Sequence, residues 1–369
     1  MALDQLHNLP DYIQEVILNG PALAPPDGVI PNLVDRPNQN ALGLAVVTIC
    51  LSISTFAILL AAYAKLYGKK PFHYEDFFVL AGYGLAVGVA YCSYAGCSYV
   101  GFFVHQWNVR VRELAHTFYI VHVGSILYSV SIMLLKVAIL LQWIHLFVPR
   151  GTKGSFYWTS YALLVMNVLL YTIVVLTICA SCKPFARLWD PLLPGKCVAT
   201  REAIDISTAV TNLASDVVIL IFPQRVIWRL KIKPRKKIGI AIVFLVGIFA
   251  IISAAFRVYA SVHFFHSKDK TYDVVPVALW GMAEMTCGIL IYCIPVIPSV
   301  FKQWQISFKS FKAAMPWVKY PTRLHSSGGA EPIPGKESLP PDSLWSPSYN
   351  DSMVSRGSNP AKTQPKNKP

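Results

Sequence analysis

Four charged residues stand inside long apolar runs of this 369-residue chain: Lys136, Asp216, Arg257 and Glu284. A charge held in hydrocarbon costs about 2.5 to 3.5 kcal/mol on insertion scales, so each should be paired or put to use. Paired, the groups neutralise one another and fix how helices pack. Set in a polar pocket, they bind a ligand or act as a switch. A carboxyl group in apolar surroundings favours its protonated form, which suits general acid catalysis, and on an enzyme reading Asp216 or Glu284 is the acid. A partnering Lys136 or Arg257 opposes that shift.

Spacing adds neighbours to these charges. Asn212 and Asp216 lie four apart, on one face of a helix, as do Trp280 and Glu284. Pro223 follows Asp216 in the same run, frees a backbone carbonyl and marks a kink. Lys136, Asn212, Asp216, Arg257, Trp280 and Glu284 therefore make up a candidate polar core.

The elements that must position this core are seven apolar stretches, each near the ~20 residues needed to cross ~30 Å of hydrocarbon. They run from Leu42 to Ala64, Phe77 to Cys97, Phe118 to Leu146, Phe156 to Cys179, Ile204 to Ile227, Ile238 to Phe265, and Val274 to Val300. Composition agrees: 54% of residues are hydrophobic and 14% charged, with mean hydropathy +0.46, far from a soluble domain. The expected fold class is an all-α membrane protein, a seven-transmembrane helix bundle, multi-pass in the plasma membrane or an endomembrane. No internal repeat is visible, so an inverted-repeat transporter has no direct support.

Lysine and arginine in the connectors set the orientation, because positive residues near helix ends stay cytoplasmic. One side holds Lys65, Lys69 and Lys70, then Arg150 and Lys153, then the run from Arg229 to Lys237, then the tail; the other has fewer, interspersed with acids. The N-terminus is expected outside and the C-terminus in the cytoplasm. The first forty residues show no basic region leading into an apolar core, so no cleaved signal peptide is expected. Residues 1–41 then form an outer segment and 42–300 the transmembrane domain. Residues 301–320 form an amphipathic juxtamembrane helix or a frayed extension of the seventh span, and 321–369 a disordered cytoplasmic tail. Depths counted along the helices put Asp216 near the midplane and Lys136 roughly 6 Å further in, with Arg257 and Glu284 roughly 9 and 4 Å on the outer side. Two opposite-charge pairs match in height: Lys136 with Asp216, and Arg257 with Glu284.

Outside the spans, Glu75 and Asp76 open the second stretch, where acids suit the helix macrodipole and can cap free N–H groups. The connection after the fourth span carries Cys182 and Cys197. On an oxidising face, closing that loop of about 15 residues would stabilise the fold by roughly 3 kcal/mol; Cys179 is a competing partner and Cys97 a rival one. Histidines, among them His105, His116, His122, His145, His263 and His266, show no H-E-x-x-H spacing. No metal and no cofactor are expected. G-x-S-x-G, P-loop and G-x-G-x-x-G motifs are also missing. The net charge of +14 lies in short loops and the tail, which points to a lipid bilayer and away from nucleic acid. The run from Arg229 to Lys237 suits either anionic lipid or an acidic cytoplasmic signalling protein.

The ordered set of Glu75-Asp76 before Phe77 and Phe78, Lys136, Cys182-x-Pro184 with Trp189 and Gly195-x-Cys197, Asn212 with Asp216 and Pro223, Arg257, and Trp280 with Glu284 resembles the fungal rhodopsin-domain family. The resemblance covers about residues 40 to 305. Glu75 and Phe77 depart from the family's usual acid and Trp, which touches local packing only. The family comprises seven-helix proteins that include candidate surface-sensing receptors and membrane proteins found beside secondary-metabolite gene clusters, the satratoxin-cluster group among them. The resemblance implies a receptor-like protein sensing a small hydrophobic ligand; a membrane-embedded cyclase or isomerase, or an accessory protein of secondary-metabolite biosynthesis, is the alternative. It does not imply photochemistry, because a retinal Schiff base needs a lysine facing the pocket and residues 274 to 300 contain none.

Overall fold

The computed structural model describes residues 10–67, 71–148, 154–197, 201–229 and 234–296. A short helix, α1 (Asp11–Asn19), precedes seven long ones: α2 (Asn40–Tyr67), α3 (Tyr74–Tyr99), α4 (Val111–Phe147), α5 (Ser155–Ala180), α6 (Arg201–Arg229), α7 (Pro234–His266) and α8 (Lys270–Cys293). All seven long helices contain a window long and apolar enough to cross a membrane. Many large apolar side chains on their outer faces, Phe56, Leu59, Leu169, Ile173 and Leu245 among them, are exposed, as lipid-facing positions should be.

The spans expected from the sequence are present, with ends displaced where polar residues join the helix. The third expected stretch is part of a 37-residue helix, α4, that begins at Val111. Four polar residues before Val274 belong to α8, which starts at Lys270 and carries Pro276 inside it. Tyr74, Glu75 and Asp76 form the first turn of α3, where the Asp76 carboxylate accepts the His73 N–H at 2.9 Å. The basic run after Arg229 and the segment 301–369 lie outside the residues whose side chains are described.

Helix α4 is the most buried span and touches α3, α5, α6 and α8. Small residues let it approach α3: the Ser131 hydroxyl donates to the Gly82 carbonyl at 2.8 Å, and Leu135 lies against the place a Cβ would take on Gly82. Helices α6, α7 and α8 follow one another as antiparallel neighbours, and α8 closes the ring against α2.

The ends where α2, α4, α6 and α8 begin lie together. Gly101, at φ +103°, ends α3 with its N–H on the Gly96 carbonyl. The Phe102 N–H then reaches the Asn40 side chain at 2.6 Å, tying α3 to the start of α2. The N-terminal segment packs over the start of α4 through backbone bonds from Ala22 to Val109 and from Val111 to Gly20, and through an Arg36–Glu113 ion pair at 2.6 Å. After α5, Cys182 and Cys197 are joined as a disulfide across a two-stranded ribbon, β1 (Cys182–Lys183) and β2 (Lys196–Cys197). The rival cysteines Cys97 and Cys179 are free. We call this the disulfide end.

Candidate functional site

The candidate core residues meet at the centre of the bundle. From α4, Lys136 places its Nζ 2.8 Å from Asp216 Oδ1 and 2.8 Å from Asn212 Oδ1, and also donates to the Ser215 hydroxyl. Asn212 donates to Glu284 Oε1 and, at 3.3 Å, to Asp216 Oδ2, while its own oxygen accepts from the Tyr171 hydroxyl. Glu284 Oε2 accepts the Tyr128 hydroxyl at 2.8 Å, and that hydroxyl accepts from Arg257 Nη1 at 2.6 Å. Arg257 completes the chain toward the disulfide end, with Nη2 3.8 Å from Asp205 Oδ1. A second Asp205 oxygen accepts the Ser261 hydroxyl at 2.6 Å.

The two height-matched pairs are therefore one continuous network joining α4, α5, α6, α7 and α8. Asn212 is the join, since it touches both Lys136 and Glu284. Lys136, Asn212, Arg257 and Glu284 are nearly fully buried. Such groups survive burial because each charge faces an opposite charge and takes at least one hydrogen bond within the network. Trp280 stands apart: its ring stacks on Phe256 of α7 at 4.7 Å between centroids, and no hydrogen bond joins it to the network among the described residues.

Sequence reasoning missed Tyr128, Tyr171, Asp205, Ser215 and Ser261. Asp205 carried a usable signal, because it precedes Asn212 by seven residues and Asp216 by eleven, which keeps all three on one face of α6. Tyrosines in apolar helices gave no such cue. Tyr128 owes its place to Gly281 of α8: a Cβ there would come within 3.3 Å of the phenol ring. The Arg257 guanidinium lies over the same ring, 4.2 Å from its centroid.

A cavity of about 180 Å³ opens between α3, α4, α6, α7 and α8 on the disulfide side of this network. Cys92, His122, Asp205, Tyr128 and Arg257 contribute to its wall, which is otherwise mostly apolar. The disulfide-closed loop supplies Leu188 to the same wall, and its Trp189 packs against His122 and Tyr119 of α4. A smaller cavity of about 50 Å³ on the other side of the network has Lys136, Asp216 and Glu284 in its lining. A dry cavity of about 150 Å³ suffices for a molecule of benzene's size, whereas a water occupies ~30 Å³ of liquid. The larger space admits a single-ring or short-chain group; the smaller is the size of one or two waters.

Seven membrane-length helices closed around a buried ionic network define a multi-pass integral membrane protein. The chain belongs to the fungal rhodopsin domain family, whose model matches residues 60–303. It is 36% identical to Fugralins biosynthesis cluster protein 2 of Gibberella zeae over 84% of this chain and 77% of that protein. An SAT4 family membrane protein of Emericella nidulans is 31% identical over 54% of the chain and 50% of its own length. Receptor GIN3 of Arthrobotrys oligospora is 24% identical over 60% of the chain and 53% of its own.

Proposed function

We propose that this protein is receptor-like: a small, mostly apolar molecule binds in the larger cavity and shifts α6, α7 and α8 through the buried charges. The observation that carries this reading is the double position of Tyr128 and Arg257. Both line the cavity, and both are links in the hydrogen-bond chain that ends at Lys136. An occupant that contacts Tyr128 differently in two arrangements of the network has the differential affinity that a population shift requires. The name of the Arthrobotrys relative supports a receptor. The disulfide end faces the outside on this reading, because disulfides persist in oxidising compartments and the basic connectors lie at the other end.

A second reading, an enzyme or accessory protein of secondary-metabolite biosynthesis, draws on the name of the Gibberella relative. Asp216 or Glu284 would be its general acid. Both line the smaller cavity, which has no room for a lipophilic substrate, and both are already engaged by Lys136 or Asn212. Size and pairing favour the receptor. Membranes containing the protein, incubated with a lipophilic extract of the parent organism, separate the two. A receptor releases its bound molecule unchanged on denaturation; an enzyme converts a component of the extract, and the Asp216→Asn and Glu284→Gln variants lose the conversion.

A further inference from the structure

At the end of the bundle opposite the disulfide, α3 begins beside the last turn of α4, and three metal-ligating side chains converge there. Glu75 Oε1 lies 3.7 Å from His145 Nδ1 and 4.0 Å from His73 Nδ1. The two imidazole rings meet edge to face with centroids 4.2 Å apart. One ligand atom from each residue lies within 4.8 Å of the other two.

The two acids of this turn have different tasks. Asp76 is fully engaged, accepting the His73 N–H, the Tyr292 hydroxyl at 2.6 Å and the Lys65 ammonium. Glu75 is only 9% exposed, yet among the described residues no hydrogen bond reaches its carboxylate. With 12% of its side-chain surface open, that carboxylate is reachable from solvent and available to a ligand. The histidine nitrogens stand too far for hydrogen bonds and close to the separation a shared ion would set. Ligands at ~2.0 to 2.2 Å in tetrahedral geometry lie roughly 3.4 Å apart, and side-chain rotation has to close the separations here, 3.7, 4.0 and at most 4.8 Å, to that value.

We propose that His73, Glu75 and His145 form a binding site for a first-row divalent cation of the Zn²⁺ class, clamping the start of α3 to the end of α4. Two imidazoles and one carboxylate are a zinc donor set that leaves a fourth position for water or another ligand. His145 is the half-exposed member and provides the entry path. The site escaped the sequence because His73 and His145 are separated by almost two whole spans, with no local motif. It is independent of the ligand cavity, which lies toward the other end of the bundle.

The test uses the full chain in lipid nanodiscs, with any polyhistidine tag removed and metal stripped by chelator. Zn²⁺ is titrated in competition with a chromogenic chelator, and Co²⁺ is added separately to read its visible absorption bands. Expected are one equivalent of Zn²⁺ per chain, an affinity loss of at least about tenfold in His145→Ala and in the near-isosteric Glu75→Gln, and loss of the Co²⁺ bands in both. His263→Ala, which removes a histidine near the disulfide end, should leave the titration unchanged. Melting in chelator shows that each variant is folded. Absence of stoichiometric Zn²⁺ binding by the parent chain overturns the proposal, as does binding that survives both variants undiminished.

Discussion

Arg257 Nη1 stands 3.7 Å from Glu284 Oε2, and the Tyr128 hydroxyl sits between them, accepting from one and donating to the other. The ion pair of α7 and α8 is thus mediated by a third helix, α4. A movement of α4 that carries the hydroxyl away from either group breaks a hydrogen bond to a charged group, worth about 1.5 to 3 kcal/mol.

Removing one charge leaves the other buried and uncompensated. Arg257→Leu or Glu284→Leu alone should cost about 3 to 5 kcal/mol, and the double variant less than the sum. Detergent melting of the two single variants and the double variant measures this. Strict additivity would mean that Asp205, and not Glu284, is the effective partner of Arg257.

Tyr128→Phe keeps the ring against Gly281 but removes the hydroxyl, leaving Arg257 and Glu284 each one partner short. A loss of about 1 to 3 kcal/mol is expected from the buried polar groups left unsatisfied. Gly281→Ala should act in the same direction by displacing the ring, since its added Cβ meets the phenol at 3.3 Å. Melting temperatures of the two variants and their combination check this; a combined loss close to that of Tyr128→Phe alone shows that both act through one hydroxyl.

Peptide mapping without reduction should recover Cys182 linked to Cys197, with Cys97 and Cys179 as free thiols. Cys182→Ser should destabilise the protein by about 3 kcal/mol on the chain-entropy account of a loop of this length. The loop also supplies Leu188 and Trp189 to the cavity side of α4, so ligand retention should fall with it.

If the disulfide end faces outward, a tag on the C-terminus of the protein in intact cells should resist added protease, and a tag on the N-terminus should be cut. Cleavage of the C-terminal tag without permeabilisation reverses the assignment. The metal cluster would then face outward as well.

The helices were legible because hydrocarbon thickness forces apolar runs of a set length, a constraint that reads directly from Leu42 onward. Lys136, Asp216, Arg257 and Glu284 were legible for the converse reason, that a charge in such a run is conspicuous. Their division into two pairs came from height alone, which says nothing of rotation about each helix axis. Rotation is what lets Asn212 reach both Lys136 and Glu284, and what turns Trp280 away onto Phe256. Tyr128 was invisible since its phenol reads as one more aromatic in an apolar helix, and the cavity beside it depends on packing of five helices that no local pattern specifies.

The central claim is that the larger cavity holds the ligand, and Gly124 offers the direct test. It lines the cavity, and a Cβ there meets only the Cys92 Cβ at 3.6 Å, an ordinary contact, so Gly124→Leu should fold while filling the space. Parent and variant proteins in nanodiscs are exposed to a lipophilic extract of the parent organism, washed, and examined by native mass spectrometry. The parent should retain a discrete small molecule that the folded Gly124→Leu protein does not. Equal retention by both would contradict the account.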